Sequence, residues 1–275
     1  MILILNGYDC LGLSLQQYFT SNKIDYIALN SSMLMKKLSV IQQQQHSYWC
    51  YNKHKFLISD IKSVYVGASE YSRISSLGKF FDDFYLYNSW NAYLNYILVQ
   101  ISNKIGIYKH DLWTGTLLQL PFFYQYANKF SLSHPELYYS QSNCHMLSSP
   151  GSFLYVSQLS GYGWSIFSNQ YQGEYIKVTE HRGVRGAVMF VGSKYFAYVK
   201  DQDSRSTFTL DSNIVKSMKG LIDSLSIVVA QYFFTFDKLN NSYCIFNFCF
   251  GAEGANNYPQ FHDIVLATSQ YLEGS

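Results

Sequence analysis

Charged residues are scarce in this chain of 275 residues. Asp, Glu, Lys and Arg together make up 14% of it and leave a formal net charge of +2. Nucleic-acid-binding domains concentrate a large positive surplus, so this balance argues against a nucleic-acid partner. Apolar residues reach 48%, which is enough for a sizeable core, in a chain that is long for one domain and short for three.

Cysteine is also scarce and follows no metal-binding spacing. The sequence contains no C-x-x-C pair, and no histidine lies at zinc-ligand spacing from any of its five cysteines, Cys10, Cys50, Cys144, Cys244 and Cys249. An odd, scattered set is typical of reduced thiols in a cytoplasmic protein, with a disulfide framework as the alternative. We therefore expect a cytoplasmic location.

Signals for export and membrane insertion are missing as well. The first residues are apolar but lack a basic region, and the turn at Gly7-Tyr8-Asp9 interrupts them. They are interpreted as a first strand, because a signal peptide needs a longer apolar region. No apolar run reaches the length of a membrane span, so we expect no membrane partner.

The common catalytic motifs are absent too. There is no G-x-S-x-G, H-E-x-x-H or Walker sequence. Gly7 and Gly12 lie five residues apart, which differs from G-x-G-x-x-G, and no acidic residue is well placed after the second predicted strand. The turn is interpreted as the start of a helix, with dinucleotide binding as the alternative.

Aromatic residues, in contrast, are abundant, with 26 Tyr and 20 Phe. Tyrosine packs its ring and keeps its hydroxyl solvated or hydrogen-bonded. This composition indicates broad sheet faces and a surface suited to recognition, and it does not indicate disorder.

Strands and helices alternate in the N-terminal part, which predicts a doubly wound sheet. Strands are predicted at 2–5, 25–29 and 61–66, with a helix over 11–19 and a hairpin formed by 47–51 and 55–58. Gln42–Gln45 is interpreted as an exposed linker. Two further helices are predicted over 89–101 and 111–127, and Pro121 is expected to bend or break the second.

The C-terminal part is dominated by hairpin signals. The run 185–199 predicts two strands around Gly192, and Ser226–Phe234 with Ser242–Phe250 predicts two more around the polar turn 237–241. Further predicted strands lie at 136–139, 152–159 and 172–178, and helices at 216–225 and 264–272.

This order of parts resembles the ATP-grasp superfamily, in the branch of the ribosomal-protein glutamate ligases and the graspetide (microviridin-type) peptide ligases. The matching segments are Leu118-Gln-Leu120 with Ala127 and Pro135, Glu174-Tyr-Ile176, Val188 to Ala197, and Tyr243 to Cys249. The resemblance implies an α/β, ATP-grasp-like fold. A small α/β pre-domain at 1–110 would precede a two-lobed antiparallel-sheet grasp domain at 111–275.

The catalytic positions that the resemblance implies are changed in this chain. Ser157 or Gln158 stands where the family has a phosphate-binding lysine, and Ala187 where it has an arginine, although Arg182 and Arg185 lie close by. Phe233 replaces an aspartate. Asn247 and Cys249 replace the Glu-x-Asn pair that ligates Mg²⁺.

Magnesium requires hard oxygen ligands, normally carboxylates and phosphates. Without it, the charge on a transferring phosphoryl group is not neutralised. We therefore assign no catalytic residue and no metal ligand, and we expect no cofactor. A degenerate nucleotide cleft would be formed by Ser157, Gln158, Glu174, Ile176, Arg185 and Asn247.

Two functions follow from these changes. The favoured hypothesis is a pseudoenzyme that binds a peptide or an active ligase partner as an accessory protein in ribosomal peptide modification. The alternative is an active ATP- and Mg-dependent carboxylate–amine or carboxylate–alcohol ligase that forms an acyl phosphate, with Asp237 as a further cleft residue. A self-associating structural protein is a third hypothesis, and a homo-oligomer is compatible with each.

Other chemically suggestive residues have ordinary interpretations. Cys249 shares a strand face with Asn247 and is interpreted as a core residue, with a nucleophile or soft-metal ligand as the alternative. The basic group His181, Arg182 and Arg185 is interpreted as a solvated loop edge, or else as a grip for an anionic ligand or acidic peptide. His134 is interpreted as a turn residue, and Asp82-Asp83 as a solvated helix start.

Overall fold

The protein was analysed as a computed structural model. It describes residues 1–5, 7–29, 39–43, 46–51, 54–67, 96, 98, 101, 103–105, 120–135, 137–140, 153–156, 175–179, 183–201, 204–252 and 254–274. The predicted helix over 89–101 and the first part of the one over 111–127 therefore lie mostly outside the described residues, as does the pair Asp82-Asp83.

The N-terminal sheet is parallel and confirms the predicted β-α-β opening. Its four strands are β1 (Ile2–Leu5), β2 (Tyr26–Leu29), β6 (Ser63–Val66) and β7 (Asn103–Ile105), in the order β2-β1-β6-β7. β1 is apolar at every position, as a strand buried on both faces requires. Helix α1 (Cys10–Ser21) follows β1 and begins at Asp9, whose carboxylate accepts a hydrogen bond of 2.7 Å from the Gly12 N–H.

Gly7 and Gly12 allow two backbone segments of this turn to approach each other closely. A Cβ on Gly12 would fall 2.6 Å from the Cα of Gly7, so only glycine lets the first turn of α1 pack on the chain leaving β1. This agrees with the interpretation of the turn as the start of a helix.

A small antiparallel meander follows, made of β3 (Ser39–Gln43), β4 (His46–Tyr51) and β5 (His54–Leu57). The predicted hairpin of β4 and β5 is confirmed. The linker interpretation of Gln42–Gln45 is wrong for its first half, because Gln42 and Gln43 pair with β4. Glutamine side chains tolerate a strand position whenever the backbone finds a partner, and composition alone does not reveal that partner.

Two antiparallel sheets form the C-terminal part. A three-stranded sheet has the order β8-β10-β9, with β8 (Leu137–Ser140), β9 (Phe153–Val156) and β10 (Tyr175–Thr179). A five-stranded sheet has the order β13-β12-β11-β14-β15. Its strands are β11 (Val184–Val191), β12 (Lys194–Asp201), β13 (Ser204–Thr207), β14 (Val229–Asp237) and β15 (Ser242–Phe250).

Both predicted C-terminal hairpins are confirmed. Gly192 turns β11 into β12 with a φ of 59°, which glycine adopts readily. The turn between β14 and β15 is held by Asp237, whose carboxylate accepts hydrogen bonds from the Leu239 N–H at 2.9 Å and the Asn240 side-chain amide at 2.7 Å.

Three further α-helices lie in the C-terminal part of the described residues. α2 (Leu120–Lys129) contains Pro121, and the bend or break expected at this proline stays a prediction because residues 111–119 lie outside the described part of the chain. α3 (Ser212–Ser224) begins earlier than predicted because Asp211 caps it. α4 (Phe261–Glu273) confirms the predicted terminal helix.

The two faces of the five-stranded sheet enter different cores. One face packs Val188, Tyr232, Phe234 and their neighbours against α3. The opposite face, here called the α4 face, packs residues of β11 and β14 in one core with α4, α1 and β1; these are Ala187, Met189, Val191, Val229, Leu11, Leu15, Phe19, Ile264 and Val265. The Ser63 hydroxyl also donates a hydrogen bond to the Leu272 carbonyl, which joins the end of α4 to β6.

The division into domains at 1–110 and 111–275 stays a prediction, since residues 106–119 lie outside the described part of the chain. No helix in the described ranges is long and apolar enough to cross a membrane.

We expect the substitution Ile264→Ala to lower the free energy of unfolding by about 2–5 kcal/mol, because Ile264 is fully buried where α4 meets both halves of the chain. Chemical denaturation measures the change. His262→Ala is the matched control, since His262 is exposed on the same helix. Equal stability of the two variants would contradict the shared core.

Candidate functional site

Three positions on the α4 face lie side by side on neighbouring strands. Ala187 on β11 is directly opposite Phe233 on β14, and Phe233 is directly opposite Asn247 on β15. Side chains of directly opposite residues leave the same face with Cβ atoms about 5 Å apart. We call Ala187, Phe233 and Asn247 the central row.

The central row supplies little charge to a ligand. It consists of a methyl group, a phenyl ring and an amide, none of which is ionised. No group of three or more His, Cys, Asp or Glu residues that could hold a metal ion is found among the described residues. These residues do not fit Mg²⁺, which requires anionic oxygen ligands.

A β-bulge shapes the row at Asn247. The pairing of β14 and β15 shifts between Phe233 and Phe234, and Phe246 is the extra residue. The rings of Phe233 and Phe246 stack with their centroids 6.4 Å apart. The side-chain oxygen of Asn247 accepts a hydrogen bond of 2.8 Å from the Phe248 N–H. This oxygen therefore binds the backbone of its own strand next to the bulge.

The neighbouring row of side chains, on the side towards α4, is buried. Met189, Gln231 and Cys249 lie opposite one another across the same three strands, and all three are buried. The Gln231 amide donates to the Gly251 carbonyl at 3.1 Å and accepts from the Tyr258 hydroxyl at 3.3 Å. This burial agrees with the interpretation of Cys249 as a core residue.

The row on the other side of the central row reaches the surface. Arg185 on β11 is exposed and lies opposite Thr235 on β14 and Lys200 on β12. Because Arg185 and Ala187 are two residues apart on one strand, both side chains leave the α4 face, roughly 7 Å apart along the strand. Sequence reasoning did not single out Lys200, which only the pairing register brings beside Arg185.

The remaining predicted site residues are spread over the structure. Ile176 lies in β10, opposite Tyr139 and Val156. Asp237 is engaged in the β14–β15 turn described above. The other predicted positions lie outside the described residues; they are Ser157, Gln158, Glu174, His181 and Arg182.

His134 has a structural role that agrees with its interpretation as a turn residue. Its ring stacks on Tyr124 with the centroids 4.3 Å apart, and its nitrogens lie 2.9 Å from the Pro135 carbonyl and 3.1 Å from the Asn128 side chain.

No protein-family profile and no curated protein matches this sequence. Solved structures do match its fold along the whole chain. The macrocyclase MdnC of Microcystis aeruginosa, bound with the precursor peptide MdnA, aligns over 100% of this chain and 99% of its own with a TM-score of 0.71 and 11% identity. An ATP-grasp ligase of Chryseobacterium gregarium, in complex with ADP and a leader and core peptide, aligns over 99% and 96% with a TM-score of 0.72 and 14% identity.

This chain has the ATP-grasp fold. The ligase PsnB, complexed with a precursor variant, Mg and ADP, also aligns over 99% of this chain and 97% of its own, with a TM-score of 0.73 and 8% identity. D-alanine–D-alanine ligase from Bacillus anthracis aligns less closely, at a TM-score of 0.54. The fold expected from the resemblance is therefore confirmed, and among these matches the ribosomal-peptide ligases give the higher scores.

Burial governs the ionisable groups near the central row. Desolvation raises the pKa of Tyr258, whose hydroxyl donates a hydrogen bond to Gln231, and it raises the pKa of Cys244 on β15 to about 12. A thiol with such a pKa stays protonated at neutral pH and is a poor nucleophile. Among the described cysteines, none forms a disulfide.

We expect Cys10 to react with iodoacetamide in the native protein, because it is exposed, while Cys244 and Cys249 react only after unfolding, because both are buried. Mass spectrometry of the labelled peptides measures the order. Rapid native alkylation of Cys249 would contradict its role as a core residue.

The raised pKa of Cys244 also predicts a loss of stability at alkaline pH. The unfolded thiol ionises near 9.0 whereas the folded thiol ionises near 12, so its contribution is complete below about pH 9 and is lost as the pH rises towards 12. Thermal unfolding of the protein and of Cys244→Ala between these pH values tests this, and the variant should lose less stability with rising pH.

Proposed function

We propose that this protein is a degenerate ATP-grasp homologue, a pseudoenzyme that binds a peptide or an active ligase as an accessory protein in ribosomal peptide modification. It acts in the cytoplasm, without ATP or Mg²⁺ as a required cofactor. The observation that carries the proposal is the central row.

The resemblance assigns an arginine, an aspartate and the glutamate of the magnesium-binding Glu-x-Asn pair to the positions of the central row. The pairing register supports that assignment, because Ala187, Phe233 and Asn247 are neighbours on one face, as the parts of a single phosphate and metal site must be. In this chain the same three positions hold no ionised group. A site of this composition lacks the charges that would neutralise a transferring phosphoryl group.

Peptide recognition is the part of the function that we propose is retained. The neighbours in fold include ligases solved with precursor, leader or core peptides. A protein can lose phosphoryl transfer through three side chains and still keep a surface for peptide binding, because the two activities rest on different residues. The abundance of tyrosine suits such a surface.

An active ligase is the second candidate, and the ADP and Mg in the neighbouring structures favour it. In that case Arg185, Glu174 and Asn247 would line the cleft, together with Ser157, Gln158 and Ile176. Asp237 is less suited to this role, because its carboxylate already accepts the hydrogen bonds of a turn.

We expect millimolar ATP with Mg²⁺ to leave the midpoint of thermal unfolding unchanged. A ligand at 100 times its Kd would stabilise the native state by about 2.7 kcal/mol, which such a measurement detects easily. A magnesium-dependent rise in the midpoint, followed by release of ADP in the presence of a peptide, would overturn the pseudoenzyme and establish the ligase.

The double variant Phe233→Asp with Asn247→Asp is a matched test of the central row. It places two carboxylates directly opposite each other, about 5 Å apart, where a divalent cation can bridge them. We expect it to be less stable than the wild type and to gain a Mg²⁺-dependent rise in the unfolding midpoint. No response to Mg²⁺ would mean that the row lacks the geometry of a metal site as well as its charge.

A further inference from the structure

We draw no further inference here: the strongest candidate, the outer face of the β3-β4-β5 meander, where Ile41, Tyr48 and Leu57 lie directly opposite one another and Ile41 is exposed, carries none because nothing in the described residues shows what covers this apolar face.

Discussion

The packing of α4 between the two halves of the chain is the constraint on which the rest of the structure depends. Its buried side chains enter one core with α1, β1 and the five-stranded sheet, and its last turn is joined to β6 through Ser63. A sheet that is covered in this way can present only the uncovered end of its face to a ligand. The positions on this face that a ligand can reach are therefore those that α4 does not cover.

The side chains on the α4 face differ in polarity and charge from one row to the next along the strands. The row of Met189, Gln231 and Cys249 is buried, and the Gln231 side-chain amide donates a hydrogen bond to the Gly251 carbonyl and accepts one from the Tyr258 hydroxyl. The central row follows, uncharged and partly aromatic, and the row with Arg185 and Lys200 ends the face at the surface. The middle of this face therefore carries no ionised side chain, whereas Arg185 and Lys200 carry positive charge at its open end.

The local signals of the sequence determined much of the fold. The apolar run of β1, the turn at Gly192 and the Asp237 turn are decided by residues close together in the chain, so they could be predicted without a structure. The glutamines of β3 were misjudged, because a strand partner depends on neighbours that composition does not reveal.

The tertiary structure alone decided which of these residues meet. Ala187, Phe233 and Asn247 are far apart in sequence, and the extra residue Phe246 changes the alternation of β15, so the central row follows from the register of three strands. Arg185, Lys200 and Arg205 become neighbours in the same way, through the register of three strands. The physical reason is that a side chain's own strand sets only its direction, whereas hydrogen-bonded pairing between strands sets its neighbours.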